Sequence, residues 1–451
     1  LEGRWQINKD LLLVGGLRNE QYKNLDSFKQ SFLDVKGQVM PRLGFSWDAL
    51  GNATTKVFGN AGRYGVQLPT LIALRGANSS LYTTQVFAYT GVNADGTPQG
   101  RVDLGPAFSK NNEYGKPKDL REVSAQNLKP NMQDELTLGI ERALTPQLNA
   151  GARLTYRKLV STIDDHCDPR PFAAYAQRMG IKNAQGQPYT LDDAYNHYHC
   201  ATFNPGEDNT FLFDFQENGN PQKVALSAAD LGFPKAKRTY QALDLFLEHP
   251  FKDSWYGKVN LALARNRGNT EGQTYTELGQ DNVSQTVAWD HPELMLNAYG
   301  PLPNERLWQV KAYGFYQVTQ EFRMGGNLML AAGRPYSCLG VPPASYGDDF
   351  FSYIFYGSYY RFCGGQPAQR GSAGHLPTEK RLDLNFVYQP KAIKGLTMAL
   401  DVFNVTNSQY VTALTERAET NSGGPSSAAY RAGGFAAERS MRLTVSYDHK
   451  F

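Results

Sequence analysis

The sequence predicts an antiparallel all-β fold built from amphipathic strands. Three observations lead there. Apolar and polar residues alternate with period two over segments of about ten residues. The connections between those segments run short, long, short, long. Gly and aromatic residues are abundant, with 43 Gly, 26 Tyr, 24 Phe and 5 Trp among 451 residues. Composition also closes off other classes. Such an aromatic load does not suit a disordered chain. Lys plus Arg is 46 and Asp plus Glu is 43, a net charge of +3, without the clustered positive field of a nucleic-acid binder. The mean hydropathy is −0.50, and no apolar run approaches the roughly 18–20 residues of a spanning helix. A helical membrane protein is excluded.

Each strand rests on its own pattern. In 148–157, Leu148, Ala150, Ala152, Leu154 and Tyr156 share one face, with Asn149, Arg153, Thr155 and Arg157 on the other. Segment 255–264 sets Trp255, Gly257, Val259, Leu261 and Leu263 against Tyr256, Lys258 and Asn260. Segment 321–330 sets Phe322, Met324, Leu328 and Leu330 against Glu321, Arg323 and Asn327. Segment 381–388 sets Leu382, Leu384, Phe386 and Tyr388 against Arg381, Asp383 and Asn385. A helix would spread those charges around every side. The same reading gives thirteen strands: 1–7, 11–20, 41–48, 54–64, 131–142, 148–159, 238–249, 255–266, 305–318, 321–332, 380–389, 396–407 and 439–451.

The connections add the architecture. Those at 8–10, 49–53, 143–147, 250–254, 319–320 and 390–395 are short and rich in Asn, Asp, Pro, Lys and Gly. Those at 21–40, 65–130, 160–237, 267–304, 333–379 and 408–438 are long, and all fall at the opposite strand ends. Compact soluble domains rarely carry several loops beyond about 15 residues. Tight turns at one end and long loops at the other are the plan of an outer-membrane β-barrel, whose strands need about 9–11 residues to cross the bilayer.

Aromatic placement points the same way. Trp5, Trp47, Phe251, Trp255, Tyr388 and Phe451 lie near short turns or the chain end, and Tyr64, Tyr156 and Tyr316 are further interfacial candidates. Such rings suit a boundary that is half apolar and half wet. The polar faces carry Arg42, Asp48, Arg153, Arg157, Lys258, Lys311, Arg323, Arg381, Asp383, Arg442 and Asp448. Both signs suit a hydrated lumen against a polar plug better than an ion filter of one sign; the alternative is wet lumen residues without partners. A soluble sandwich would have to expose a polar face on every strand.

The last strand reads Met441-Arg-Leu-Thr-Val-Ser-Tyr-Asp-His-Lys-Phe451. With Leu443, Val445, Tyr447 and Phe451 alternating outward, it resembles the C-terminal assembly signal of bacterial outer-membrane barrels, His449 departing from the usual apolar residue. Tyr447 and Phe451 are its candidate anchors. Seven further segments, in order, resemble TonB-dependent outer-membrane transporters of the Oar-like group. They are Trp5-Gln-Ile-Asn-Lys-Asp-Leu-Leu-Leu-Val-Gly-Gly-Leu-Arg18, Pro41-Arg-Leu-Gly-Phe-Ser-Trp-Asp48, Lys56-Val-Phe-Gly-Asn-Ala-Gly-Arg-Tyr64, Asn127-Leu-Lys-Pro, Gly268-Asn-Thr-Glu-Gly272, Ala332-Gly-Arg-Pro-Tyr336 and Leu400-Asp-Val-Phe-Asn-Val-Thr-Asn407.

That resemblance spans essentially the whole chain. It implies a barrel of about 22 strands closed by an N-terminal plug, a TonB-binding box, and a small carboxypeptidase-regulatory-like domain ahead of it. None of those N-terminal parts is among these residues. Residues 1–451 are therefore expected to be a partial barrel domain, the last thirteen strands, lacking plug and N-terminal strands. Thirteen strands alone would leave two unpaired edges in lipid. A start at Leu1-Glu2-Gly3, without Met or signal peptide, agrees with a processed or partial chain. The expected partners are outer-membrane lipid and lipopolysaccharide, the missing plug and strands, and the TonB complex acting through the plug. No nucleic acid and no cofactor are expected.

Chemistry is confined to the loops. Asp164-Asp165-His166-Cys167-Asp168 and His197-Tyr198-His199-Cys200 end one long loop. They read as a Cys167–Cys200 disulfide pinning that loop in an oxidising compartment; a tetrahedral zinc site is the alternative. Cys338 and Cys363 read as a second staple, and closing a loop of that size is worth roughly 3 kcal/mol in the chain-entropy model. Inside it, Tyr353, Tyr356, Tyr359 and Tyr360 form a candidate ligand platform, since aromatics give large contact area at little entropic cost; loop packing is the alternative. Asn204-Pro-Gly-Glu-Asp-Asn209 lacks calcium-loop spacing and reads as a turn. There is no nucleophile elbow, HExxH or phosphate-cradling loop, so no enzyme is expected. The expectation is an energised importer of a scarce solute; a passive porin, a barrel enzyme and a surface adhesin or secretion-related barrel are the alternatives.

Overall fold

The computed structural model describes residues 1–109, 112–280, 286–346 and 356–448. Among them, the alternating segments form one antiparallel sheet in chain order. Its strands are β1 (Glu2–Asn8), β2 (Leu11–Leu25), β3 (Ser31–Asp48), β4 (Thr55–Val66), β5 (Asn131–Thr145), β6 (Leu148–Ser161) and β7 (Arg238–Lys252). They continue as β8 (Trp255–Gly268), β9 (Trp308–Gln317), β10 (Phe322–Ala331), β11 (Glu379–Tyr388), β12 (Leu396–Phe403) and β13 (Ser440–Tyr447). Gly300–Pro301 adds a two-residue strand beside the loop end of β8. β1 and β13 pair on one side only among the described residues.

Register separates the faces. One row across the sheet is Leu13, Phe45, Gly59, Leu138, Leu154, Leu243, Leu263 and Trp308, each paired with the next. Leu382 sits with Leu247, Val259 and Leu328 on the same apolar side. The opposite face is laced by ion pairs across strands: Arg153–Asp244 at 2.9 Å, Lys258–Glu248 at 3.3 Å, Arg442–Asp401 at 2.8 Å, and Arg157 with Glu135. Arg381 pairs along its own strand with Asp383 at 2.9 Å. Period-two side-chain alternation produces both faces from one sequence pattern. Glycines let rings lie flat on the polar side. A Cβ on Gly151 would come 2.2 Å from Cε1 of Phe246 on β7.

Several strand limits differ from expectation. β2 and β3 run on through most of 21–40, leaving only 26–30 as a loop. Their extension is paid for by packing: Tyr22, Leu33 and Val35 are buried against Leu68 and Ile72 of the next connection. β12 stops at Phe403 because Asn404 and Asn407 take positive φ, 48° and 50°. β9 starts at Trp308, not 305, since Glu305 is buried and its carboxylate accepts the Asn266 N–H at 2.7 Å. Phe451 lies outside the described residues, whereas Tyr447 ends β13 with 58% of its surface exposed.

The apolar core lies in the loops rather than the sheet. Phe172, Tyr189, Phe203, Phe211, Phe213, Phe215, Phe233 and Trp289 are buried together, while Leu154, Leu247 and Val259 on the sheet are exposed. The loop after β6 carries α2 (Arg170–Met179), α3 (Leu191–His197) and α4 (Ala228–Leu231); α1 (Ile72–Gly76) lies in the loop after β4. Thr190 and Ser227 cap α3 and α4 in reciprocal boxes with Asp193 and Asp230, satisfying end N–H groups that a buried helix cannot leave open. No described helix is long and apolar enough to cross a membrane.

Candidate functional site

The long connections fold over the loop end of the sheet as a cap. Cys167 is bonded to Cys200 and Cys338 to Cys363. With its sulfurs joined, the first pair offers no thiolate for a metal. His166 is likewise committed to the core: its ring centre is 4.6 Å from that of Phe203 and 5.4 Å from that of Phe211. Burial pushes its pKa down to about 3, keeping the ring neutral. Nearby, the backbone N–H and hydroxyl of Thr286 donate to Asp164 at 2.7 and 3.0 Å. Burial still pushes that carboxyl up to about 7.

The tyrosines expected to form a platform divide. Tyr353 lies outside the described residues. Tyr360 is fully buried with Leu294 and Phe362, so it packs the cap and presents no face. The Tyr356 hydroxyl donates to Asp290 at 2.8 Å, and its ring meets His291 edge-on. Arg417 sits over the Tyr359 ring at 4.8 Å. Both rings are half-buried.

A charged clasp, not anticipated from sequence, ties two loops together. The Glu277 carboxylate accepts Arg361 Nη2 at 2.6 Å and Nη1 at 3.1 Å, Arg370 Nε at 2.9 Å, and the Ser337 hydroxyl. Arg361 also donates to the Tyr275 hydroxyl at 2.9 Å, and Arg370 to Glu271 at 3.1 Å. Beside it, Arg334 and the Ser337 N–H both reach Glu416 at 2.7 Å. Burial alone would raise Glu277, yet the two guanidinium groups outweigh it and hold the carboxyl well below the usual range. Glu416 accepts from both Arg334 and Ser337, yet burial and then the nearby Glu277 charge take it up to about 7. The Glu277 carboxylate has its bonds committed to buried partners, so the clasp fixes shape.

Beneath the cap, on the polar face, lies a cavity of about 170 Å³ between Asn131 and Gln133 of β5, Leu159 of β6, Arg238 of β7, and Glu271–Gln273. Asn131 is 5% exposed, and its Oδ1 accepts the Ile163 N–H at 2.6 Å. That bond fixes the amide orientation and leaves Nδ2 without a partner, as is Nε2 of Gln273. Arg238 Nη1 donates to the Glu271 carbonyl at 2.5 Å. Gly272, at φ 120°, permits this approach, since a Cβ there would lie 2.6 Å from the same nitrogen. Room for several waters, walled by amide donors and a guanidinium, suits a small oxygen-rich group.

The comparisons with known proteins bear on the whole chain. No protein-family model matches it. It is 23% identical over 442 residues to the TonB-dependent transporter Oar of Myxococcus xanthus, a match covering 92% of this chain and 36% of Oar. In structure it resembles the outer-membrane transporter YddB of Escherichia coli, with a TM-score of 0.52 and 14% identity over 97% of this chain and 43% of YddB. The FrpB iron transporter of Neisseria meningitidis also matches, with a TM-score of 0.48 and 11% identity over 99% of this chain and 43% of that one. The chain thus spans well under half the length of these relatives. In sequence the chain is similar to the TonB-dependent transporter Oar, and in fold it resembles an outer-membrane transporter.

Proposed function

We propose that this chain is the C-terminal barrel portion of a receptor that imports a scarce solute under TonB energisation. The observation that carries the reading is the match to Oar along 92% of the chain. The architecture supports it: an apolar face for lipid, an ion-paired face for a wet lumen, and a stapled cap over one end. In this reading thirteen strands complete about nine others in a barrel of about 22, and a plug from the same protein fills the lumen. The work comes from TonB pulling that plug, so the chain itself needs no nucleotide site and no catalytic residues. The donor-lined cavity at Asn131 and the half-buried Tyr356 and Tyr359 are the proposed contacts for solute entering from outside.

The test is uptake by cells carrying the full-length gene, with and without TonB, across a panel of limiting nutrients. Accumulation of one solute that stops when TonB is deleted supports an energised importer. Uptake that continues without TonB, together with steady ion conductance of the purified full-length protein, would identify a passive pore and overturn the reading.

A further inference from the structure

The polar face neutralises carboxylates across strands, as at Arg153–Asp244, Lys258–Glu248 and Arg442–Asp401. At the turn end that pattern breaks. One row in register there is Asp48 of β3, Lys56 of β4 and Glu141 of β5, a single cation between two acids. Lys56 turns to Glu141: its ammonium lies 3.4 Å from that carboxylate and 4.9 Å from the centre of the Phe58 ring. Asp48 is left without a cation. So is Asp10 of the β1–β2 turn, since neither acid makes an ion pair among the described residues.

Both acids line one cavity of about 330 Å³ at the β1–β2 and β3–β4 turns. A Cβ on Gly51 would lie 3.6 Å from each carboxylate oxygen of Asp10, which places that group against the second turn. Asp48 accepts the Ala53 N–H on Oδ2 at 2.6 Å, and its Oδ1 is buried without a partner. Thr55, 6% exposed, lines the same cavity, and its Oγ1 is likewise buried and unpartnered. Gln6 commits its amide nitrogen to the Asn8 and Leu11 carbonyls at 2.5 and 3.3 Å, which leaves its side-chain oxygen to accept. Ser46 adds a hydroxyl to the wall.

A buried polar oxygen without a partner is costly, and two of them beside two unneutralised carboxylates call for a positive occupant. The donor types select which. All are oxygens, with no imidazole or thiolate among them, the set of a hard ion. Calcium takes about six to eight oxygens in flexible geometry, whereas magnesium demands a near-ideal octahedron. Oxygens gathered from three strands and a turn, with room for water to complete the shell, suit the former.

We propose that this cavity is a calcium site fastening the β1–β2 turn to the β3–β4 turn. Asp10 and Asp48 are its charged ligands, and Ser46, Thr55 and the Gln6 side-chain oxygen are neutral ones. Glu141 is a positioning residue: by holding Lys56 it keeps an ammonium off Asp48. A basic side chain from another segment is the competing occupant, and it carries one charge where the cavity offers two carboxylates. The site needs only the sheet and its turns, so it stands apart from the transport reading.

The test uses the full-length protein in detergent, stripped with EDTA and titrated with terbium chloride. Trp5 and Trp47, next in sequence to Gln6 and Asp48, sensitise the bound ion's luminescence. One tight terbium site that calcium chloride displaces, and magnesium chloride far less readily, is expected. Asp10→Asn and Asp48→Asn should each weaken it roughly tenfold. Glu141→Gln should weaken it roughly threefold by releasing Lys56, and adding Lys56→Met should restore it, a rescue that a purely structural role for Glu141 does not give. No tight site in the wild type, which needs no variant to fold, overturns the proposal. So does unchanged affinity in the Asp10→Asn, Asp48→Asn double variant. Binding that appears only after the plug is deleted also overturns it, because a basic side chain then fills the cavity.

Discussion

Glu277 is the place where one atom-level change tests the cap. Glu277→Gln keeps the volume but removes the charge facing Arg361 and Arg370, each side chain 2% exposed. Breaking a buried ion pair by deleting one partner costs about 3–5 kcal/mol, because the survivors stay buried and uncompensated. Glutamine retains one acceptor oxygen, and Glu271 still reaches Arg370, so the lower figure of about 3 kcal/mol applies. That is on the order of a hundredfold more frequent opening of the joined loops. Hydrogen exchange measured by mass spectrometry reads it directly. Peptides from 269–280, 332–346 and 356–378 should lose protection while those from β6 and β7 keep theirs. Replacing all three members by Leu and Met should restore much of it, since a whole buried ion set can be exchanged for apolar packing at little cost. A change below about threefold in the loop peptides, or equal loss in the strands, would refute the clasp as the cap's fastening. Because the Glu277 carboxyl is held far down, its contribution is present above the unfolded value near 4.3. It is lost only as pH falls well below that value, so the loops should stay fastened between pH 8 and pH 5.

Other expectations can be checked alongside. Asp164 titrates in the folded chain at about 7 and unfolded near 3.9. The folded form therefore keeps a proton the unfolded form has lost, so Asp164 contributes a fall in cap stability as pH rises from about 4 to 7, opposed by neutral His166, which contributes a rise over nearly the same range. Urea midpoints followed by the fluorescence of buried Trp289 should therefore rise more steeply with pH in Asp164→Asn than in the parent; an unchanged slope in the variant refutes the assignment. Gly151→Val drives a side chain into the Phe246 ring and 3.0 Å from the Ile140 carbonyl, an overpacking of about 1–3 kcal/mol. It should lower the temperature at which the full-length protein loses its compact gel mobility. Phe246→Ala in the same chain should recover most of the loss, and no recovery would refute the contact.

The strands were legible because each long segment exposes its pattern locally. Leu154 and Arg153 differ in face whatever the rest of the chain does. The β2–β3 extension was not, since the burial of Tyr22 and Leu33 depends on Ile72, far along the chain. Within the cap, the cysteine pairs were anticipated from their spacing in a loop. The helices were not, although Thr190 and Ser227, each three residues before an acid, are recognisable capping signals. Glu277 and Arg361 stand 84 residues apart, and no local pattern announces a pair closed by two independent loops. Tyr360 looked the same as Tyr359 in sequence; only the arrival of Leu294 beside it decides which ring is hidden.

Concentrating the greasy interior in the loops has an immunological corollary in the proposed orientation, with the loops outward. Phe172 and Trp289 come from separate stretches yet are buried in one cluster, so a binder arriving from outside the cell would meet discontinuous epitopes. Antibodies or phage tail proteins selected on the intact cap would recognise shapes assembled from several excursions. Synthetic peptides copied from any one of them would present their aromatic side chains to water and be poor vaccines.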